Sequence, residues 1–184
     1  ESSAASDVYK RQLDNLYAIR LADFKVRQSL IYRLLENIAD QNEFYRRSGA
    51  VHGCALCEAA NSLMYTEDVG RHNAADAISG YMWLDNISGA GKIFYTTGRL
   101  TSEMIIKCVK MRIPILVSRS GFTAWGVELA RQAGLTLIGR ARGKRFVCLS
   151  GIERVEFDAD TNAFEEEDRK HARKGSKPET DQAP

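Results

Sequence analysis

"KIFYTTGRLTSEMIIKCVKMRIPILVS", residues 92–118, is the stretch on which the fold turns. Its first six residues (92–97) are rich in β-branched and aromatic side chains and read as a strand. Residues 101–112 then switch to a helical period, with Thr101 placed to serve as the N-cap. "IPILVS" (113–118) is a short run, apolar up to Ser118, the signature of a strand covered on both faces, and Pro114 stands at its start, where a missing N–H is tolerated. A strand, a helix and a second strand joined this closely form a crossover, and a crossover makes the two strands parallel.

The alternation continues outward. "TAWGVELARQAG" (123–134) reads as a helix ended by Gly134 at C′. "LTLIG" (135–139) and "RFVCLS" (145–150) read as strands joined by "RARGK". Upstream, residues 51–57 and 63–67 form a hairpin-like pair of strands, and Ala74 to Leu84 is helical with Asn73 as its N-cap. Between Phe24 and Asp40, Ile31, Leu34, Leu35 and Ile38 recur at i, i+3, i+4 and i+7, an amphipathic helix. The expected fold class is therefore α/β, a mixed sheet with parallel strands and helices on its faces.

Composition sets the outer bounds. With 184 residues, 44% apolar and 27% charged, the chain has the profile of one globular domain with additions at its ends. A net charge of +2 gives no reason to expect a nucleic-acid partner, and no apolar run approaches the length of a membrane span. The four cysteines are too few and scattered for a disulfide scaffold and fit a reducing compartment. Residues 1–11, "ESSAASDVYKR", show no period and are set apart as a non-native or disordered leader. Residues 158–184 are almost wholly polar and are expected to be a disordered tail, leaving 12–157 as the folded unit.

Polar clusters follow the strands: Glu67–Asn73, Thr97–Glu103, Ser118–Thr123 and Arg140–Arg145. In open α/β sheets ligands sit beyond the carboxyl ends of the strands. Arg71 and His72 stand just before a helix, where free N–H groups and the helix dipole favour an anion. In "TGRLTSE", Gly98 permits close backbone approach and Arg99 offers a planar fork for phosphate. Any one of these clusters is ordinarily a solvated surface, with Asp68 balancing Arg71; repetition at equivalent strand ends favours a phosphate-bearing ligand. "RARGKR" adds four cations in six residues, as a basic turn or an anion-binding rim. There is no Walker pattern and no GxGxxG.

"CALC" (Cys54, Cys57) has CxxC spacing but falls in a strand, where alternation sends the two thiols to opposite faces. Cys57 is the better candidate for exposure, lying nearest the turn; Cys108 and Cys148 read as packing residues. His52 in "AVHGC" invites comparison with zinc deaminases, which need a glutamate two residues on and a later cysteine pair. Here Cys54 replaces the glutamate and "TGRLTSE" stands where the cysteines belong, so no metal site is expected.

Taken in order, "SGAVHGCAL", "EDVGRHNAADAISG", "TGRLTSE", "IPILVS", "VELARQAGLTLIG" and "RARGKRF" resemble the FdhD/NarQ family, formate dehydrogenase accessory sulfurtransferases, over about Ser48 to Val155. The resemblance implies a cytidine-deaminase-like core without zinc, in a cytoplasmic homodimer. It implies a sulfur carrier that takes sulfur from a cysteine desulfurase. The sulfur passes to the molybdenum or tungsten bis-pyranopterin guanine dinucleotide cofactor, held as cargo, for the catalytic subunit of formate dehydrogenase. It places Arg140, Ala141, Arg142, Gly143, Lys144 and Arg145 in the cofactor-binding stretch, with Arg140 standing where an aromatic is usual. Arg71, His72 and Arg99 join them on physical grounds. The family's sulfur-carrying CxxC lies on an N-terminal loop that this chain lacks; Cys54 and Cys57 do not align with it, so no catalytic residue is assigned and a truncated member is expected. The alternative is a non-catalytic binding module for a guanine nucleotide or another phosphate ligand.

Overall fold

The computed structural model describes residue 11 and residues 13–159. Most of the leader expected at 1–11, and the tail from 160 onward, lie outside the described residues. The elements in chain order are β1 (Val26–Arg27), α1 (Gln28–Ala39), α2 (Glu43–Ser48), β2 (His52–Glu58), β3 (Asn61–Asp68), α3 (Arg71–Leu84), β4 (Lys92–Thr96), α4 (Ser102–Lys110), β5 (Ile115–Ser118), α5 (Ala124–Gln132), β6 (Thr136–Arg142), β7 (Arg145–Ser150) and β8 (Val155–Glu156). Six strands form one mixed sheet in the order β3-β2-β4-β5-β6-β7. β4, β5 and β6 are mutually parallel, while β2 is antiparallel to both β3 and β4 and β7 is antiparallel to β6. The expected α/β class and mixed sheet are what the structure shows.

Strand alternation divides the core into two layers. Leu56, Phe94, Leu116 and Leu137 face α3, α4 and α5, meeting Ile78, Met104, Ile105 and Leu129. Ala55, Ile93, Tyr95, Ile115, Val117 and Ile138 face α1, meeting Ile31, Leu34, Leu35 and Ile38. The residues picked out by the helical period at 31–38 are therefore the ones that α1 buries. Because both faces of β5 are covered, all four of its residues are buried, which explains the apolar run Ile115–Val117.

Two local boundaries differ from the sequence reading, each for a nameable reason. The helix read from Phe24 begins at Gln28 instead, because Val26 and Arg27 pair in parallel with Val155 and Glu156. Just beyond that ribbon, Asp158 accepts hydrogen bonds from Ser29 N (2.9 Å) and Ser29 Oγ (2.6 Å), placing a carboxylate at the start of α1. The third helix begins at Arg71 with Gly70 as N-cap, so Asn73 lies in its first turn instead of capping it. Asn73 Nδ2 donates back to Asp68 Oδ1 (3.1 Å), which also accepts from Gly70 N (2.7 Å), and this turn starts the helix early. Thr101 holds the cap position of α4 without making a side-chain cap. Thr123 does cap α5, accepting from Gly126 N, and Gly134 follows it at φ +68° as expected.

Two glycines have opposite roles. A Cβ on Gly89 would stand 2.0 Å from the backbone oxygen of Met111, so the β4 approach runs against the α4–β5 turn with no room for a methyl. Gly80, inside α3, has open space around the same position. Gly89→Ala is expected to destabilise the protein by about 1–3 kcal/mol through backbone displacement. Gly80→Ala is expected to stabilise it by about 0.5–1 kcal/mol through helix propensity. Urea denaturation of both variants reads the two signs directly.

Candidate functional site

β3, β4, β5 and β6 run in one direction, so their carboxyl ends share one edge of the sheet. The loops that leave this edge are tied together by buried hydroxyls. Thr96 Oγ1 accepts from Gly98 N (3.0 Å), and Thr97 Oγ1 accepts from Gly53 N (2.9 Å). Ser118 Oγ donates to the Gly98 carbonyl (2.6 Å) and accepts from Ser120 N (2.9 Å). Backbone bonds from Arg119 N to Thr96 O and from Arg140 N to Ser120 O complete the stitching. Thr96 and Ser118 are wholly buried, so their hydroxyls must be satisfied internally, and they are.

Above this floor stand the cations. Arg71 and His72 are the first two residues of α3. The Arg71 side chain lies across Gly98, where an added Cβ would sit 2.9 Å from both Arg71 Cβ and Arg71 Cδ. His72 Nε2 approaches Glu103 Oε2 at 3.0 Å, joining the first turns of α3 and α4. Neither helix has a side-chain cap, in contrast to α5. Arg71 Nε, His72 Nδ1 and Thr101 Oγ1 are buried and lack a hydrogen-bond partner among the described residues. Hydrogen-bonding capacity is thus left over where two uncapped helix starts converge, the condition that suits an anion. Asp68 is spent on the Gly70–Asn73 turn rather than on Arg71. Arg99 is exposed on the loop between β4 and α4.

The second basic group is built differently. β6 and β7 continue past the end of β5 as a hairpin, closed by the Arg142–Arg145 pair around Gly143 (φ +53°). Three residues of overhang at about 3.3 Å each carry its tip roughly 10 Å beyond the rim. Like charges directly opposite one another are unfavourable unless an anion joins them. A bulge between Gly139 and Arg142 puts Arg140 at φ +53° and its guanidinium carbon 5.9 Å above the Phe122 ring. Ala141 is buried toward α1, while Arg142, Gly143, Lys144 and Arg145 are exposed. Arg140, Lys144 and Arg145 also border an open cavity of about 690 Å³ with Gln28, Tyr32 and Phe157. The structure therefore places Arg71, His72 and Arg99 in one group and residues 140–145 in another, along the same edge. β4 and β6 are two strand spacings apart, roughly 10 Å. Another cavity, of about 650 Å³, lies between α3 and α4 and includes none of these cations, its own being Lys107 and Lys110.

Sequence reasoning named the Ser118–Thr123 cluster without singling out Arg119, and it left out Tyr45. Arg119 lies between the two groups, its guanidinium 5.6 Å from the Tyr45 ring. Tyr45 arrives on α2, whose start is held by the Glu67 carboxylate, accepting from Phe44 N (3.1 Å) and Tyr45 N (3.0 Å). Only the helical run 43–48 was available to signal it, and a helix that short has no usable period.

The thiols are the opposite of reactive. Cys54 and Cys57 face opposite core layers, as strand alternation required. Both are fully buried, which corrects the expectation that Cys57 is exposed near the turn. Cys57 shares the face of Ala55, two residues earlier in the strand, and so lies under α1. Burial pushes Cys54 up to about 11 and Cys57 up to about 12, and it also raises Cys108 and the half-buried Cys148. Low-pKa, accessible thiols are what sulfur chemistry needs. Among the described residues no group of three or more His, Cys, Asp or Glu side chains is arranged to hold a metal ion.

Comparison with known proteins adds the following. The model for the FdhD/NarQ family matches residues 2–156. The sulfur carrier protein FdhD of Listeria monocytogenes serotype 4b (strain F2365) is 36% identical over 126 residues, covering 68% of this chain and 48% of the relative. The sulfur carrier protein FdhD of Saccharolobus solfataricus is 36% identical over 144 residues, covering 76% and 56%. The crystal structure of a Desulfotalea psychrophila protein assigned as a formate dehydrogenase accessory protein superposes with a TM-score of 0.71 at 34% identity, covering 77% of this chain and 62% of that one. The chain spans about half the length of the curated relatives it matches.

Two outcomes are expected from the site's chemistry. Under native conditions iodoacetamide should label Cys148 first and leave Cys54, Cys57 and Cys108 unmodified until the protein unfolds, as read by peptide mass spectrometry. Burial and the adjacent Arg71 charge hold His52 below its usual 6.5. The unfolded chain therefore binds the proton more readily, and the His52 contribution is complete above pH 6.5 and is lost as pH falls through the folded value. Stability measured between pH 7.5 and 5 should decline less in His52→Gln than in the unaltered chain.

Proposed function

The chain belongs to the FdhD/NarQ family, and on that premise we propose that the intact protein carries sulfur in the maturation of formate dehydrogenase, with this chain supplying an anion-binding rim. The observation that carries the reading is the convergence of the uncapped starts of α3 and α4 beside Arg71, His72 and Gly98. The ligand is the molybdenum or tungsten bis-pyranopterin guanine dinucleotide cofactor, held as cargo. Its pyrophosphates supply the negative charge that Arg71, His72 and Arg99 suit, and the 140–145 hairpin adds a projecting second cationic group. Residues with planar guanidinium forks bind phosphate oxygens in pairs, so arginine is the suitable cation here.

Sulfur reaches such a carrier when a thiolate attacks the persulfide of a cysteine desulfurase. The terminal sulfur moves to the attacking thiolate, the desulfurase thiolate leaves, and no net electrons are exchanged. Buried Cys54, Cys57 and Cys108 do not suit that step, so the carrier thiol is placed outside these three. The proposed partners are a cysteine desulfurase and the catalytic subunit of formate dehydrogenase, and the proposed working form is a cytoplasmic homodimer. No helix among the described residues is long and apolar enough to cross a membrane.

The same buried thiols favour a second reading, in which the domain only binds a guanine nucleotide or another phosphate ligand. Incubation with a cysteine desulfurase and labelled cysteine separates the two: persulfide transferred through the intact protein to cofactor supports the carrier, and nucleotide binding without any transfer supports the module.

Binding is tested by calorimetry with GDP at two salt concentrations. Arg71→Ala and the Arg142→Ala, Arg145→Ala pair should each weaken binding by about 1.5–3 kcal/mol per lost charged hydrogen bond, with a shallower salt dependence. Unchanged affinity in the double variant removes the hairpin from the site; unchanged affinity in Arg71→Ala removes the helix starts.

A further inference from the structure

The described chain ends beside the cationic hairpin. Phe157 borders the cavity of about 690 Å³ that Arg140, Lys144 and Arg145 also line, and Asp158, the next residue, is fastened to Ser29. The sequence continues as "DTNAFEEEDRK", residues 160–170, in which one aromatic, Phe164, precedes four consecutive carboxylates, Glu165 to Asp168. The six residues from Asp160 to Glu165 span at most about 20 Å, so the carboxylates are tethered within reach of the hairpin.

The lining of that cavity combines two chemistries. One part is apolar: the Tyr32 and Phe146 rings meet at a centroid distance of 5.9 Å, and Val147 and Phe157 are exposed. The other part is cationic, and Arg142 lies directly opposite Arg145 in the hairpin, a like-charged pair that an anion between them relieves. Gln28, also in the lining, is only 7% exposed. Its Nε2 donates to Tyr32 Oη (2.6 Å), while its Oε1 is buried without a partner among the described residues. A peptide backbone supplies the N–H donor that this oxygen lacks, whereas an ionised phosphate, an acceptor through its oxygens, does not.

From this arrangement we infer that residues 164–168 of the chain fold back onto the hairpin, with the Phe164 ring in the cavity and the Glu165–Asp168 carboxylates on Arg140, Arg142, Lys144 and Arg145. Guanidinium forks take carboxylate oxygens in pairs, so the hairpin suits this segment as it suits phosphate. Arg169 and Lys170 come next in the sequence and are repelled by the hairpin, which ends the contact at Asp168. A short tether acts as a local concentration in the millimolar range, so a few exposed ion pairs are enough to hold the segment. The contact itself does not depend on what the rim binds. Its consequence rests on the anion-binding reading of the rim: the chain's own carboxylates occupy the hairpin until a phosphate-bearing ligand displaces them. The acidic segment is then a built-in competitor that sets how strongly an anion must bind.

Two measurements on the full chain test the contact. Carbodiimide cross-linking at low salt should join Lys144 to carboxylates of residues 165–168 within one chain, as located by peptide mass spectrometry. Phe164→Ala should lower the yield several-fold, and so should about 1 M salt, where the Debye length is about 3 Å. In calorimetry, the quadruple variant Glu165→Gln, Glu166→Gln, Glu167→Gln, Asp168→Asn should bind inorganic pyrophosphate about 3- to 10-fold more tightly than the unaltered chain. A control of equal net charge, with Asp14→Asn, Glu36→Gln, Asp85→Asn and Glu128→Gln at exposed positions elsewhere, should show no such gain. Absence of the Lys144 cross-link, or a yield that Phe164→Ala leaves unchanged, overturns the contact. Cross-links found only between an isotope-labelled and an unlabelled chain assign the segment to a second copy and overturn it as well. Equal pyrophosphate affinity in the quadruple variant and the control overturns the competition. If no variant binds pyrophosphate, the rim reading fails, and the cross-links alone decide the contact.

Discussion

Parallel pairing of β4 with β5 and of β5 with β6 is the constraint from which the rest follows. Parallel neighbours cannot be joined by a tight turn, so each connection must cross a face of the sheet as a helix. α4 and α5 make those crossings on the same face as α3, and their starts are delivered to the edge where the strands end. Antiparallel β2 brings the end of β3 to the same edge, and with it Asp68, Arg71 and His72. The candidate site is therefore a consequence of strand direction before it is a matter of particular side chains.

Holding four loops at one edge creates a second problem. Their backbone groups leave the sheet ladder while still buried, and a buried polar group without a partner costs about 1–3 kcal/mol. Thr96 and Ser118 solve it with hydroxyls that bond Gly98 and Ser120 backbone groups, and Thr97 ties its loop to Gly53 N of β2. Glycines at 53 and 98 let chains approach within contact distance of Tyr65 and Arg71. The floor that results is rigid, while the cations above it project from helix starts and from a hairpin tip. Arg99 and the hairpin tip stay exposed, whereas Arg71 and His72 are half-buried with hydrogen-bonding capacity unspent.

Burial also settles the chemistry of the cysteines. A thiol in an apolar layer resists ionisation, and Cys54 and Cys57 lie in two such layers, one on each side of β2. In the proposed function the domain's contribution is accordingly one of binding and presentation. Cations and two uncapped helix starts lie along one edge of the sheet.

The sequence by itself determined the fold class and most of the elements. Periods of two and of 3.6 are written locally, and the apolar run 113–118 could only be a covered strand. It also carried the family, through "EDVGRHN" and "TGRLTSE", and it marked Arg71, His72, Arg99 and residues 140–145 as cations at strand ends. Their roles at the site remain part of the proposal. Helix boundaries were less legible: Asn73 resembles a cap in isolation, yet the Asp68 turn starts the helix before it. What tertiary structure alone decided is which distant groups meet. Phe122 with Arg140, Arg119 with Tyr45, and His72 with Glu103 are joined only once the sheet has set its order. Nothing in a local period encodes such pairs, because they depend on strand register and crossover direction, which are properties of the assembled sheet.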